Sequence, residues 1–318
     1  MTTLIEETTR LTEQFESGSP STKLRSTMAA MRLQFTWFGT RKTLSPEQRR
    51  QAAESFGAAG QFLSAGKKLF DTRHPRFKAV TAVRHRATAY FQGTSLPYPE
   101  PAVRLVRQDD LDELQMRMCQ FAEELAAAVA ALDAEFDELR LAAREQLGRL
   151  YCEADYPQSL DGLFTMAWDF PSVEPPEYLR RLSPQLYRQE CQRVSARFDE
   201  AVQLAEQMFL SELGELVSHL AERLSGDADG KPKAFRDSSV ENLTEFFQRF
   251  SRLNVRSNDE LQSLVEQAQA VIGGVQPQQL RDSSALRGQI ADELAHVQTA
   301  LDGLMVDRPR RNILRRAK

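Results

Sequence analysis

Two short motifs in this chain have the residue types and spacing of metal ligands. Glu293-x-x-His296 places a carboxylate and an imidazole one helical turn apart, the spacing by which one helix supplies two ligands to a di-iron site. Such a site also needs a second Glu-x-x-His and two further carboxylates, and the sequence has only one such motif. Glu215 and His219 have the spacing of an ordinary contact on a helix surface. We therefore predict no metal and no cofactor.

No other pattern in the sequence indicates catalysis. The phosphate-binding motif GxxxxGK[ST] is missing, and no Ser, Cys or Thr lies in the context of a nucleophile elbow. Cys119, Cys152 and Cys191 are odd in number, widely spaced and without a CxxC, so neither a disulfide framework nor a zinc site is indicated. The sequence favours a protein that is not an enzyme, has no small-molecule substrate and binds other macromolecules.

Basic side chains are the main candidates for contacts with a partner, because they can neutralise phosphates or an acidic protein surface. The candidate residues are Arg41, Lys42, Lys67, Lys68, Arg73, Arg76, Arg84, Arg310, Arg311 and Arg315. Aromatic residues nearby could stack on nucleic-acid bases. However, Phe77, Val80, Ala87 and Tyr90 recur at helical spacing, which is typical of a core.

The net charge of −4 is divided into blocks of opposite sign along the chain. Residues 22–108 carry 16 Lys and Arg against 4 Asp and Glu, whereas residues 109–229 carry 10 against 26. Three interpretations are open: solvated helix faces of different sign, docking of the basic block of one subunit on the acidic block of another, and a basic surface that meets phosphate. The salt dependence of assembly and of DNA binding distinguishes them.

The basic block predicts a small α+β head. The run 31–38 alternates apolar and polar residues and is rich in aromatics, which indicates a strand buried on one face. Residues 96–99 and 103–106 indicate a second extended segment, so a small two-stranded element is expected. Two helices are predicted between these segments, one beginning at Pro46 and one at Pro75, since proline suits the first helical position.

Two long apolar stripes follow the head. The acidic pair Asp109-Asp110 suits a helix N-terminus, and from Leu111 to Leu150 apolar residues recur every three or four positions, which predicts one helix from Asp109 of about 42 residues and about 63 Å. A second stripe of similar length extends from Pro184 to Leu224. Their mean spacings of about 3.5 and 3.7 residues are close to the heptad and 11-residue values. We predict that the two helices pair as an antiparallel coiled-coil hairpin.

The predicted organisation is mainly α. Its segments are a 1–21 N-terminal helical arm, a 22–108 basic α+β head, a 109–229 acidic coiled-coil hairpin with a capping connector 153–183, a 230–307 C-terminal helical module and a 308–318 basic tail. Helices are expected near 237–253, 258–272 and 280–304. Residues 226–233 resemble a linker. Trp37, Trp168 and Phe170 are candidate interface aromatics, with core packing as the alternative.

The sequence gives no sign of a membrane protein. No stretch approaches the roughly 18 apolar residues that indicate a membrane span, and the acidic N-terminus lacks the apolar segment of an export signal. The cysteine pattern suits a reducing compartment. We expect a cytoplasmic location.

Several short runs in the first half of the chain carry a recognisable pattern. They are Trp37-Phe38-Gly39-Thr40-Arg41-Lys42-Thr43-Leu44, Gly66-Lys67-Lys68-Leu69-Phe70, Phe77 with Arg84-His85-Arg86, and Leu96-Pro97-Tyr98. Residues 31–180 resemble an uncharacterised family of phage- and plasmid-encoded proteins. Genes of this family often lie beside those of a MoxR-type AAA+ ATPase and a von Willebrand factor A-type protein. The resemblance implies these two proteins as partners and implies no catalytic residue.

Together these features predict a non-enzymatic helical adaptor or scaffold that forms a homo-oligomer, acting with an AAA+ ATPase in a phage or mobile-element context. The long apolar stripes and the missing active-site constellation are the grounds for this expectation. The alternative is a nucleic-acid-binding protein of a mobile element, which would use the basic head and tail. Oligomeric state and salt-dependent DNA binding separate the two.

Overall fold

The computed structural model describes residues 19–225 and 238–306, and their secondary structure is mainly helical, as predicted. The helices are α1 (Pro20–Thr27), α2 (Pro46–Glu54), α3 (Pro75–Gly93), α4 (Leu111–Asp133), α5 (Phe136–Leu147), α6 (Tyr178–Leu182), α7 (Pro184–Ser225), α8 (Ser238–Leu253), α9 (Asp259–Ile272), α10 (Pro277–Asp282) and α11 (Ser284–Val306). The strands are β1 (Met28–Trp37), β2 (Arg41–Thr43), β3 (Gly66–Lys68), β4 (Ser95–Pro97), β5 (Val103–Arg107) and β6 (Phe164–Asp169). The predicted N-terminal helix, the 226–233 linker and the basic tail lie outside the described residues.

The chain divides into two compact units and passes between them four times. The first unit contains the described residues of 1–29, 94–107 and 172–318. The second unit contains residues 30–93 and 108–171. These units cut across the predicted head and hairpin, because each unit draws residues from both of those segments.

The aromatic run predicted as a strand is β1, which pairs antiparallel with β6 in the second unit. The pairing is continuous from Arg32 opposite Asp169 to Trp37 opposite Phe164. One face of the pair packs on α3, where the Phe164 ring lies 6.3 Å from the ring of Phe77. The exposed residues of both strands alternate with buried or half-buried ones, so the prediction of a strand covered on one face is confirmed.

Strand β6 was not predicted from the sequence. The connector 153–183 was expected to form an aromatic cap on a hairpin, whereas its centre is a strand in which Phe164 is buried and Thr165 and Ala167 are exposed. The alternation extends over only six residues and is followed by Pro171. Such a short apolar run is ambiguous in a sequence, because helices and strands can both contain it.

Strands β2 and β3 enclose a small helical excursion, which we define as residues 44–65. The strands pair antiparallel, and the Leu44 N–H donates to the Ala65 carbonyl at 3.1 Å where the excursion closes. Within it, α2 begins at the predicted Pro46, and the hydroxyl of the preceding Ser45 accepts from the Gln48 N–H at 3.2 Å. The Gln48 side chain in turn accepts from the Ser45 N–H, which completes a capping box.

The predicted helix from Leu111 to Leu150 is broken after Asp133, and this corrects the prediction of one helix of about 63 Å. The Asp133 carboxylate accepts from the Leu160 N–H at 2.7 Å, and α5 restarts at Phe136. The break leaves no trace in the apolar pattern, because Leu132 and Phe136 are both buried and keep the helical spacing.

The two predicted long helices do not pair as a coiled-coil hairpin. Helix α4 lies in the second unit and packs along α3, with the rings of Tyr90 and Phe121 5.9 Å apart. Helix α7 lies in the first unit and packs along α11. Apolar spacing specifies which face of a helix is buried but not which element covers that face. The similar lengths of the two stripes were therefore not sufficient to predict that the two helices pair.

Helix α7 is the central element of the first unit, and its 42 residues confirm the continuous helix predicted from Pro184 to Leu224. It packs against α1, α8 and α11, and therefore buries more than the predicted single stripe, including Leu210 and Val217. The C-terminal helices predicted near 237–253 and 258–272 are α8 and α9. The region predicted as 280–304 contains two helices, because Ser283 is extended and ends α10 before α11 begins.

Strands β4 and β5 pair with each other in the first unit, which confirms extended structure at both predicted segments. Ala102 at φ 63° lies in the turn between them. Arg104 on β5 donates to the Ser95 hydroxyl at 2.7 Å and to the Ser95 carbonyl at 2.8 Å. Burial of this guanidinium, with Arg249 nearby, lowers the pKa of Arg104 to about 10.

Candidate functional site

The charged groups beside β2 and β3 form the most developed polar cluster of the second unit. Lys42 and Lys67 lie opposite each other on the two strands, and their ammonium groups approach the same Asp155 carboxylate at 2.5 and 2.6 Å. The Lys67 side chain is only 4% exposed, and its ammonium also donates to the Leu150 carbonyl. Two cations therefore share one carboxylate at the base of the excursion.

The contacts of this cluster are those of a structural ion-pair network. Burial alone would raise the pKa of Asp155, but hydrogen bonds and ion pairs with Lys42 and Lys67 outweigh it and lower that pKa. The neighbouring Tyr156 hydroxyl donates to the Leu69 carbonyl at 2.6 Å, and burial raises the pKa of Tyr156 to about 12. The ammonium of Lys67, which was predicted to contact a partner, is buried in this cluster.

Arg41 and Lys68 lie on the other face of the same strand pair. Successive residues of a strand point to opposite faces, so residues next to Lys42 and Lys67 point away from Asp155. Both side chains are exposed and directly opposite each other in the register. Like charges in opposite positions destabilise a strand pair, and a bound anionic group would relieve the repulsion.

The excursion also carries two exposed phenylalanines that the sequence interpretation missed. Phe56 is 82% exposed and Phe62 is 84% exposed, the highest values among the large apolar side chains of the described residues. They flank the Gly57 to Gly60 stretch, in which Gly57 has φ +63°. The sequence signal for them was two aromatic residues on either side of a short glycine-containing turn, outside any long apolar periodicity.

Three further predicted basic residues already contact groups of the second unit. Arg76 donates to Glu135 at 2.7 Å, and Arg73 to Asp71 at 3.2 Å. The Arg84 guanidinium lies 4.6 Å from the centre of the Trp37 ring, a cation–π contact. Arg73 is highly exposed, with 86% of its side chain accessible.

The predicted interface aromatics occupy different settings within the second unit. Trp37 is half-buried, with its ring 4.9 Å from that of Phe164. The Trp168 indole N–H donates to the Gln115 side chain at 2.7 Å. Phe170 is 50% exposed and follows directly after β6. Trp37 therefore serves mainly in packing, while Trp168 and Phe170 lie near the surface.

Opposite charges from the two sequence blocks meet inside the second unit. The ion pairs are Arg32–Asp169 at 2.6 Å, Lys42–Asp155 at 2.5 Å, Lys67–Asp155 at 2.6 Å, Arg76–Glu135 at 2.7 Å and Arg86–Glu124 at 2.6 Å. The whole unit contains 16 Lys and Arg and 18 Asp and Glu. The positive charges of the basic block and the negative charges of the acidic block therefore largely balance each other within the second unit.

The described residues contain no group of three His, Cys, Asp or Glu side chains that could hold a metal ion. Glu293 accepts a hydrogen bond from the Gln289 side chain at 3.0 Å, and His296 is exposed. Among the described helices, none combines the length and apolar composition that a bilayer crossing needs. The predicted contacts in the C-terminal tail, which are Arg310, Arg311 and Arg315, lie outside the described residues.

The surface features of the second unit are thus an exposed aromatic pair, an exposed pair of like charges and the region around β6. Within the described residues, none of these arrangements contains a nucleophile paired with a general base. Comparison of the chain with protein-family models gives no match, and neither curated proteins nor solved structures match it.

Proposed function

We propose that this chain is a non-enzymatic helical adaptor or scaffold that self-associates and binds a protein partner. The observation that carries the proposal is the exposure of Phe56 and Phe62 on the excursion between β2 and β3. A folded chain gains nothing by leaving two phenylalanine rings in water, whereas buried aromatics contribute strongly to binding at protein interfaces. The excursion is therefore the surface that we assign to the partner.

The charges around the excursion favour a partner with an acidic surface. Arg41 and Lys68 are exposed on the strands that bound the excursion, and Lys42 and Lys67 already share the Asp155 carboxylate on the other face. Complementary charge steers such encounters and raises the association rate. The family resemblance suggests a MoxR-type AAA+ ATPase as the partner, with a von Willebrand factor A-type protein in the same phage or mobile-element context.

Replacing both Phe56 and Phe62 by Ala should weaken binding to a purified MoxR-type ATPase from the same genome by at least about tenfold, because two anchoring rings are lost. Isothermal titration calorimetry measures the change. Tyr178→Ala, which removes a ring that is 64% exposed in the first unit, is the matched control and should bind as the original chain does. Equal affinity of the double variant would contradict the proposed surface, and an original chain that does not bind would exclude this ATPase as partner.

A nucleic-acid-binding function is the second candidate, and the opposed pair of Arg41 and Lys68 is the observation that favours it. Replacing both by Gln should reduce affinity for single-stranded DNA and lower the magnitude of the slope of log K against log salt by about 1.4, since each phosphate contact on a single strand contributes about 0.7. Fluorescence anisotropy across a salt series measures both. Lys78→Gln on α3 is the exposed control. Absence of binding at low salt would rule this function out.

A further inference from the structure

Strand β6 lies at the end of its sheet. It pairs with β1 along its whole length, from Phe164 to Asp169, and among the described residues no strand adjoins its other edge. The backbone groups on that edge have no backbone partner in the part of the chain that the structure describes. In an antiparallel pair, alternate residues direct their N–H and C=O groups outward. The edge therefore presents a row of hydrogen-bonding groups.

Protein edge strands are usually protected against pairing with another chain by charged side chains, proline, a bulge, a very short strand or a covering helix or loop. Helix α4 packs against β6, and its Gln115 accepts from the indole of Trp168 on the half-buried face of the strand. The sequence of β6 supplies few of the other devices. From Phe164 to Trp168 the strand contains neither a charge nor a proline, and its register with β1 is continuous, without a bulge. Asp169 is the one charged residue, and Arg32 on β1 neutralises it with a pair of hydrogen bonds.

Exposed apolar side chains lie beside this strand. Phe170 follows it directly and is 50% exposed. Met116 on α4 is 59% exposed, and its neighbour Gln115 accepts the hydrogen bond from the Trp168 indole. An open edge flanked by exposed apolar residues has the composition of a binding surface in which backbone hydrogen bonds join the chains and side chains add contact area.

We propose that β6 pairs antiparallel with β6 of a second copy of this chain, so that the two copies form a two-fold symmetric dimer through a continuous sheet. The inference rests on the self-association proposed above, and it assigns that self-association to the free edge of β6. A two-fold axis near Ala167 brings the same patch of both copies together, as an isologous contact requires. The exposed Thr165 and Ala167 are small enough to allow close approach.

Charge favours a second copy as the occupant of this edge. In an antiparallel arrangement the two Asp169 residues lie at opposite ends of the paired strands, so like charges do not face each other. Each Asp169 keeps its own Arg32 as partner. The centre of the pairing is uncharged in both copies, which is the condition under which a strand can pair with itself without repulsion.

Replacing Ala167 by Lys, or in a separate variant by Glu, is expected to abolish the dimer, because two like charges would face each other near the axis. Mixing the two variants should restore it, since Lys and Glu then lie opposite each other. Sedimentation velocity over the micromolar range measures the oligomeric state. Ala142→Lys, an exposed position on α5, is the matched control and should remain dimeric. Circular dichroism establishes that all variants are folded.

Each outcome decides between the dimer and another arrangement. Loss of the dimer in both variants and its return in the mixture supports pairing through β6. Variants that remain dimeric, or that fail to pair when mixed, would overturn this surface while leaving self-association in place. An original chain that stays monomeric at all concentrations would overturn self-association itself and this dimer with it. Binding of the ATPase depends on the excursion and is measured separately.

Discussion

Replacing Asp155 by Asn should lower the free energy of unfolding by about 3 kcal/mol, because the buried ammonium of Lys67 would lose its counter-charge. The Leu150 carbonyl would still accept a hydrogen bond from Lys67, but a carbonyl does not neutralise the charge. Urea unfolding followed by tryptophan fluorescence measures the loss. The two tryptophans of the chain, Trp37 and Trp168, both lie in the second unit and so report on the unit that contains the cluster.

Two further variants distinguish the contribution of the buried Lys67–Asp155 ion pair from that of the Lys42–Asp155 ion pair, in which Lys42 is exposed. Lys42→Gln should cost less than Asp155→Asn, because the Lys42 side chain is 54% exposed and water screens its charge. Lys67→Met combined with Asp155→Asn should be more stable than Asp155→Asn alone, since no buried charge is then left unpaired. An Asp155→Asn variant that unfolds at the same urea concentration as the original chain would show that the cluster does not stabilise the fold.

The same carboxylate gives the fold a dependence on pH. The pKa of Asp155 is lowered in the folded state, because its contacts with Lys42 and Lys67 outweigh the effect of burial. The carboxylate therefore stabilises the fold fully above its ordinary pKa of about 4, and the contribution is lost as the pH falls through the lower folded-state value. Stability of the original chain should thus fall more steeply in acid than that of Asp155→Asn, which lacks the titrating group.

Truncation of Phe209 to Ala should destabilise the first unit by about 3–5 kcal/mol, because it opens a cavity where α7 meets α8. Phe209 is 2% exposed, and its ring lies 6.1 Å from that of Phe246 and 5.0 Å from that of Phe250. These edge-on contacts add to the apolar area that the ring buries. Circular dichroism during urea unfolding measures the loss, since the first unit contains the longest helix.

Phe62→Ala is the matched control for this truncation. It removes the same group from a side chain that is 84% exposed, so the free energy of unfolding should change by less than about 0.5 kcal/mol. Similar losses in the two variants would contradict the burial of Phe209 among the α8 aromatics. Preserved stability of Phe62→Ala also ensures that any loss of partner binding in the double Phe56 and Phe62 variant comes from the interface.

The sequence identified most buried positions correctly and paired the helices wrongly. Leu114, Phe121 and Leu125 on α4 are buried as their spacing predicted. The partner of that face is α3 from the predicted head, which periodicity could not indicate because it carries no information on which element supplies the covering surface. The four passages of the chain between the two units could not be predicted from periodicity for the same reason.

The candidate surfaces were predicted only in part. The basic strand pair was found from composition, but its division into a buried face with Lys67 and an exposed face with Lys68 depends on the register of β2 against β3. That register is set across more than 20 residues of intervening excursion and cannot be derived from local patterns. Phe56 and Phe62 were missed because an apolar residue in a loop is assigned by default to a core.

The passage of the chain between the units also affects the order in which the protein can fold during its synthesis. Helix α1 buries Leu24 and packs against α7, which ends at Ser225. About 200 residues must therefore be synthesised after α1 before α7 is complete. At ribosomal rates this synthesis takes about 10–40 s. The second unit is complete once Pro171 has emerged. It should therefore fold on the ribosome first, while α1 and the paired strands β4 and β5 still lack α7, which packs against α1 and β4.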